Sequence, residues 1–226
     1  MANGNQSGTA SSTFPQFLTD GYYRFRRNEL NGHRDLYAKL ASEGQKPPVM
    51  MIGCSDSRAA PETIFNAAPG DIFVVRNVAN FVPPYSTSGE NHSVSSALEF
   101  AVQALGARDV VVMGHAKCGG IAAFRQQITG TPSQPLSDGN FVGKWIDQFK
   151  PLADRLSDME SKTAEELQWI LETESVRQSI DNLKAFPFVS SLIESGDLRI
   201  HGAWFDLSNG ELWTLDNNSG EFAKAA

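Results

Sequence analysis

The chain has 226 residues, of which 41% are hydrophobic, and this length and composition allow a sizeable buried core in one α/β domain. Its formal net charge of −7 gives no excess of basic residues for nucleic acid or an anionic membrane, so neither is expected as a partner. The sequence has no long apolar run and no basic, then apolar, signal sequence at its start, which predicts a cytoplasmic protein.

The N-terminal region divides into a polar stretch and a region with helical periodicity. Residues 1–13 are rich in small polar side chains, so we predict a flexible arm there and a single domain over residues 14–226. Apolar and aromatic side chains recur at helical spacing over residues 15–41, which predicts one or two amphipathic helices that break near Asn31 and Gly32. A second subunit would provide a surface for their apolar faces.

Three short apolar runs predict buried strands at residues 49–53, 72–75 and 110–114. A helical stretch over residues 93–105 lies between the second run and the third. Strands that alternate with helices are typical of a parallel sheet with helices on both faces, so the predicted fold class is α/β.

The C-terminal half completes this sheet. Helices are predicted over residues 141–156 and 164–183, and strands over residues 198–205 and 211–215. The two strands flank an Asn209-Gly210 pair, which is a strong hairpin signal. We therefore predict a central, mostly parallel sheet with an antiparallel hairpin at its edge, flanked by helices.

Candidate metal ligands directly follow two of the predicted strands. Cys54 follows the first strand, and His115 and Cys118 follow the third. Because the carboxyl ends of parallel strands meet at one edge of a sheet, we expect these side chains to converge. Two thiolates and one imidazole leave the fourth position of tetrahedral zinc open, which is typical of a catalytic site. The alternative is two unrelated buried thiols and a core histidine.

An acidic and a basic residue lie next to the first cysteine. If the backbone from Cys54 to Arg58 is extended, alternate side chains face the same crevice. The Asp56 side chain then lies in the crevice with Cys54 and Arg58. Asp56 is then either a fourth zinc ligand, in a closed state of the site, or a carboxylate that Arg58 holds away from the metal. The alternative is that Asp56 and Arg58 form an ordinary surface ion pair with no role at the site.

Three segments of the chain together resemble the β-class carbonic anhydrases. They are Cys-Ser-Asp-Ser-Arg at residues 54–58, the segment from Gly to Asn at residues 70–80, and His-Ala-Lys-Cys-Gly-Gly at residues 115–120. The resemblance is dense over residues 45–121 and looser over most of the remaining chain.

The resemblance implies a ligand set and a catalytic pair. Cys54, His115 and Cys118 match the residues that bind zinc in this family, and Asp56 and Arg58 match the pair that orients the fourth ligand. It also implies reversible hydration of carbon dioxide to bicarbonate and a proton by zinc-bound hydroxide. Because two thiolates cancel the formal charge of Zn²⁺, activity is expected to rise toward alkaline pH.

The resemblance further implies an intertwined homodimer, which in this family often assembles into a larger homo-oligomer. In plant-like members a small substrate pocket lies at the subunit interface, and five residues of this chain match its lining: Gln45, Phe73, Val78, Phe100 and Gly119. Phe100 stands where those members have Tyr, so a hydroxyl group is lost.

Two other functions remain open at this point. Some relatives on the same scaffold hydrolyse carbonyl sulfide or carbon disulfide, and nothing in the pocket residues excludes these linear substrates. A zinc module that serves assembly without catalysis is the second alternative, motivated by the aromatic residues near the N-terminus. Such a module has no need for the Asp56 and Arg58 pair, which favours catalysis.

Overall fold

The computed structural model describes residues 14–88, 93–131 and 134–225, so the predicted arm of residues 1–13 lies outside the described residues. Contacts between Cα atoms divide the chain into two compact units, Met1–Gln45 and Lys46–Ala226. The single domain over residues 14–226 stays a prediction. Within the described ranges, no helix is both long enough and apolar enough to cross a membrane.

The first unit is helical, as its periodicity predicts. It contains α1 (Gln16–Arg27), the single turn α2 (Glu29–Gly32) and α3 (Arg34–Glu43). The predicted break near Asn31 is thus itself a helical turn, with non-helical backbone at His33. None of the residues of α1 is buried.

The second unit is built on a six-stranded sheet with the order β2-β1-β3-β4-β5-β6. The first four strands of this order are parallel, and the last two pairs are antiparallel. This arrangement confirms the predicted fold class, and it adds a sixth strand that the sequence analysis did not predict. The strands are β1 (Val49–Cys54), β2 (Ile72–Asn77), β3 (Asp109–His115), β4 (Arg199–Phe205), β5 (Leu212–Leu215) and β6 (Phe222–Lys224).

Helices and tight helical turns connect and flank these strands. The helices are α4 (Pro61–Ile64), α5 (Ser93–Glu99), α6 (Gly119–Ile128), α7 (Phe141–Ile146), α8 (Lys150–Ala153), α9 (Ala164–Lys184) and α10 (Pro187–Glu194). The tight 3₁₀ turns are Val78–Asn80, Asp147–Phe149 and Met159–Ser161. Phe100–Ala104 is a wider π-helical turn that follows α5. The helix predicted over residues 141–156 is interrupted by the turn Asp147–Phe149 and ends at Ala153. The helices α4, α6 and α10 were not predicted.

Two apolar clusters position the site. The larger one includes Met50, Ile52 and Val112 of the central strands together with residues of α9 and α10. The second contains both cysteines, packed with a group of phenylalanines. The long helix α9 packs against β3 and β4, so it passes behind the end of β3. Its first turn is fixed by a capping box between Thr163 and Glu166.

Candidate metal centre

The candidate site lies beyond the carboxyl ends of β1 and β3. β1 lies between β2 and β3, so the chain leaves β1 toward one side of the sheet and later returns on the other. Such a reversal leaves a crevice between the loops that follow the two strands, where ligands of open α/β sheets bind. Cys54 is the last residue of β1 and His115 the last of β3, while Cys118 immediately precedes α6.

The structure brings the three predicted ligands together. One ligand atom from each of Cys54, His115 and Cys118 lies within 4.8 Å of the others, and all three residues are buried. The two sulfur atoms are 3.9 Å apart. Two thiolates bound to one tetrahedral zinc, each with a Zn–S distance near 2.3 Å, have sulfur atoms about 3.8 Å apart. The distance between the sulfur atoms therefore fits two thiolate ligands of one metal ion rather than a disulfide bond.

The imidazole ring of His115 makes the hydrogen bond that is typical of a metal-binding histidine. Its Nδ1 atom lies 2.8 Å from the carbonyl oxygen of Ala116, to which it donates a hydrogen bond. Its Nε2 atom is buried and has no hydrogen-bond partner in the part of the chain that the structure describes. A metal-binding histidine commonly donates its other N–H to a carbonyl group in this way, which leaves one lone pair for the ion. This unpaired atom is the observation that best supports a bound metal.

Backbone N–H groups surround the two sulfur atoms. Those of Asp56 and Ala79 face Cys54 and act to lower the pKa of its thiol, and those of Gly120 and Ile121 act in the same direction on Cys118. The neighbouring thiol lowers the pKa of Cys54, and the presence of that thiolate together with burial raises the pKa of Cys118. Two thiolates this close disfavour each other, so a cation that binds both would favour the doubly deprotonated pair.

Asp56 is paired with Arg58 beside this cluster. Its Oδ1 accepts hydrogen bonds from the backbone nitrogen and Nε of Arg58 at 3.0 and 2.9 Å, and its Oδ2 accepts one from Nη2 at 2.7 Å. The Arg58 guanidinium holds the pKa of the Asp56 carboxyl far below its usual range. Oδ2 also lies 4.0 Å from Nε2 of His115. The carboxylate is therefore next to the ligands, in its Arg58-paired arrangement.

Arg76, on β2, holds the loop that carries Asp56. Its Nε donates to the carbonyl oxygen of Cys54 at 2.8 Å, and its Nη2 donates to that of Asp56 at 2.6 Å. The sequence analysis did not assign this residue to the site. The available signal is a charged residue after four apolar ones in β2, because a half-buried guanidinium needs acceptors nearby.

The turn Val78–Asn80 closes another side of the site. The Asn77 side chain holds this turn through two hydrogen bonds of 2.8 Å to the backbone of Phe81. The indole of Trp145 donates to the Val78 carbonyl oxygen at 2.8 Å. Ala79, whose N–H faces Cys54, has a φ of 64°, a strained conformation for a residue with a side chain.

A buried glutamate on α9 lies behind the metal loop. Glu172 is 2% exposed and accepts a hydrogen bond from the backbone nitrogen of Cys118. Its role is not predicted from the sequence, because a Glu in a helix with other acidic residues is usually a solvent-facing residue.

The predicted substrate-pocket residues fall into three places. Val78 and Gly119 line one cavity of about 540 Å³, and Gly119 directly follows the ligand Cys118 in the chain. The rings of Phe73 and Phe100 lie 6.0 Å apart, but Phe73 is opposite Met50 in the sheet, four positions before Cys54. Gln45 is the last residue of the first unit. Within the second unit, then, Phe73 does not lie at the end of β1 with the ligands.

Comparisons with known proteins agree on one family. The sequence model of the carbonic anhydrase family matches residues 49–212, which is more than half of the chain. The chain is 33% identical over 202 residues to the β carbonic anhydrase 3 of Arabidopsis thaliana, an alignment that covers 88% of this chain and 76% of the relative.

Solved structures give the same result. The chain is similar to the β-carbonic anhydrase CcaA, with a TM-score of 0.82, 29% identity, and coverage of 93% of this chain and 92% of that one. It is also similar to a structure from a study of two tetrameric β-carbonic anhydrases of Sordaria macrospora, with a TM-score of 0.70 and 25% identity. That alignment covers 93% of this chain and 98% of the other.

Proposed function

The chain belongs to the β class of the carbonic anhydrase family, and we propose that it catalyses the reversible hydration of carbon dioxide to bicarbonate and a proton. The observation that carries this proposal is the convergence of Cys54, His115 and Cys118, together with the buried Nε2 of His115 that has no hydrogen-bond partner among the described residues. These three residues would hold the zinc ion that the family uses. Zinc at such a site lowers the pKa of a bound water molecule toward neutrality.

Asp56 is the residue that would control the fourth ligand position of the zinc ion. Because Arg58 bonds both oxygens of this carboxylate, Asp56 is held as an acceptor beside the open position and is kept from occupying it. An ionised carboxylate there would accept a hydrogen bond and so orient the reacting oxygen. Release of Asp56 from Arg58 would let it become the fourth ligand and close the site.

The substrate needs little recognition beyond shape. Carbon dioxide is small, linear and apolar, so an apolar wall with one or two N–H donors for its oxygens suits it. In this chain Val78 and Gly119, which begins α6, line the cavity of about 540 Å³. We assign Gln45, Phe73 and Phe100 to the same pocket, with a partner subunit required to complete it.

We further propose a homodimer or larger homo-oligomer in the cytoplasm. The Sordaria macrospora relatives are described as tetrameric, and α1 of this chain has no buried residue, which leaves its aromatic side chains for a partner. Both cysteines are free, and zinc binding requires both to stay reduced, a state that the cytoplasm maintains.

The two alternative functions gain no support. The matched family and the relatives are carbonic anhydrases, which does not favour hydrolysis of carbonyl sulfide or carbon disulfide. A zinc module for assembly alone would not need Asp56 to be held by three hydrogen bonds beside an open ligand position.

The test is stopped-flow hydration of carbon dioxide at pH 8.4, on protein whose zinc content has been measured. The control is Cys54→Ala, which removes one thiolate ligand. We expect fast hydration by the wild-type protein and loss of both zinc and hydration in the variant. A wild-type protein that carries stoichiometric zinc and does not accelerate hydration would contradict the proposal.

A further inference from the structure

Glu172 is a charged residue in the interior of the second unit. It lies on α9, is 2% exposed, and its burial raises the pKa of its carboxyl group. A buried carboxylate costs several kcal/mol in lost solvation unless hydrogen bonds replace its water. Nothing in helix formation requires a Glu here, since an apolar residue at this position of α9 would pack in the core.

Three N–H groups replace that water. Oε1 of Glu172 accepts from the backbone nitrogen of Cys118 at 2.9 Å and from Nε2 of Gln168 at 2.7 Å. Oε2 accepts from the indole nitrogen of Trp204 at 3.2 Å. All three partners are donors, so the site suits a group with two acceptor oxygens and no N–H of its own.

Glu172 and Gln168 together hold the two peptide groups that flank the Cα atom of Cys118. Glu172 accepts from the Cys118 N–H, and Gln168, one helical turn earlier, donates from Nε2 to the Cys118 carbonyl oxygen at 3.2 Å. Gln168 is itself held by Arg125 of α6, whose Nε donates to Oε1 at 3.1 Å. Because both adjacent peptide groups are fixed, the direction of the Cys118 side chain toward Cys54 and His115 is fixed as well.

We propose that Glu172 is a positioning residue that holds Cys118 in the geometry required for zinc, with Gln168 as its helper. This inference rests on the proposed zinc site and goes beyond it, because Glu172 touches neither substrate nor metal. Residues that orient a ligand from behind typically change metal affinity or activity about 10- to 100-fold when they are replaced.

The decisive variant is Glu172→Gln, which keeps the size of the side chain. A glutamine brings its own N–H₂ group against three donors, so either the Trp204 indole or the Cys118 N–H loses its acceptor. We expect zinc affinity, measured by competition with a chelator, to fall about 10- to 100-fold. In the cobalt-substituted protein we expect the thiolate-to-cobalt absorption band to shift or weaken, which reports the Cys118–metal geometry directly.

The matched control is Glu174→Gln, the same substitution two residues along α9. Glu174 pairs with Arg177 and makes no contact with the ligand loop among the hydrogen bonds of the described residues. Zinc affinity and the cobalt spectrum of this variant should equal those of the wild-type protein. Gln168→Ala is the second test variant, and it should weaken zinc binding in the same direction as Glu172→Gln.

The outcomes separate this inference from the proposed function. Wild-type protein that binds no zinc would overturn both. The positioning role alone would be overturned by a different set of results. In that case the wild-type protein binds zinc and hydrates carbon dioxide, and Glu172→Gln and Gln168→Ala both keep its zinc affinity and its cobalt spectrum. The same holds if the variants lower only the thermal midpoint of the metal-free protein, because that result describes packing. If Glu172→Gln does not fold, Gln168→Ala decides.

Discussion

Arg58 determines what Asp56 can do at the candidate site. The three hydrogen bonds between the two residues leave Asp56 beside the ligand cluster without joining it. In Arg58→Ala the carboxylate loses its partner and becomes free to occupy the fourth position. We expect turnover in carbon dioxide hydration to fall about 100-fold, with zinc retained because its three ligands are intact.

Arg199→Ala is the matched control for this variant. Arg199 also bonds both oxygens of an aspartate, Asp109, at 2.8 and 2.7 Å, but this pair lies at the opposite end of β3 from His115. Stopped-flow turnover and zinc content are measured for both variants. Turnover of Arg58→Ala equal to that of the control would show that Arg58 does not control access to the fourth position.

The ionisation of Asp56 bears on the pH dependence of the reaction. The Arg58 guanidinium holds the pKa of Asp56 far below its usual range, so the carboxylate is charged at neutral pH. The ion pair is lost only when the pH falls through that depressed pKa. A change in rate between pH 6.5 and 9 therefore does not come from titration of the Asp56 carboxyl group.

We expect the rate to rise from pH 6.5 to 9 for a different reason. Two thiolate ligands cancel the formal charge of a zinc ion and make the site less acidifying than one with three neutral imidazoles. The measurement is turnover across this pH range at constant ionic strength, in buffers concentrated enough that proton transfer to buffer is not limiting. A profile that is flat over this range contradicts the expectation.

At the scale of elements, α6 and the turn Val78–Asn80 pack so closely that their contact requires glycine. A Cβ atom on Gly120 would lie 2.7 Å from Cγ1 of Val78 and 3.1 Å from Cβ of Ala79. Gly120→Ala must push this turn away from α6, and the Ala79 N–H that faces Cys54 moves with it. We expect the free energy of unfolding to fall by about 1–3 kcal/mol.

Gly119→Ala is the control for this close contact, because no atom lies within 4 Å of a Cβ added at Gly119. Denaturant unfolding of the two variants, both prepared with zinc, gives the comparison. We expect a much smaller loss in Gly119→Ala. Equal midpoints for the two variants would mean that the turn yields to the added methyl group without strain.

The elements that the sequence predicts are those whose own residues carry a periodic pattern. The continuous apolar run of β1 and the Asn209-Gly210 pair before β5 identify their elements locally, and the structure contains both. By contrast, α6 begins with Gly119 and Gly120, which read as a loop, and its helical path depends on packing against Val78–Asn80. The three-residue β6 is too short for a pattern of its own.

The same distinction applies to the candidate site. The two cysteines and the histidine are predictable because each directly follows a strand, so topology alone brings them together. Glu172 is not predictable in this way. Its partners Cys118 and Trp204 lie 54 and 32 residues away in the chain, so its burial is a property of tertiary packing rather than of the α9 sequence.

At the scale of the whole molecule, the first unit differs from the second because none of its described residues, 14–45, is buried. No residue of α1 is buried, and Phe17, Tyr22 and Tyr23 are 71%, 54% and 52% exposed. A helix of this length is marginal in water without an apolar surface to cover one of its faces. A second copy of the chain would provide that surface, consistent with the proposed homodimer.

We therefore expect the purified protein to have a mass, measured by light scattering, of at least two chains, and Phe17→Asp to shift this mass toward that of one chain. The aspartate would place a charge where an apolar contact is required. Its desolvation would make association of the chains less favourable. Ala38→Asp adds the same charge at an exposed position of α3 and should leave the mass unchanged. Wild-type protein that is a single chain and hydrates carbon dioxide at full rate would contradict the expectation, since the pocket assigned to Gln45, Phe73 and Phe100 would then need no partner. If Phe17→Asp is smaller and also slower with its zinc retained, the active site depends on the assembly as well as on the metal.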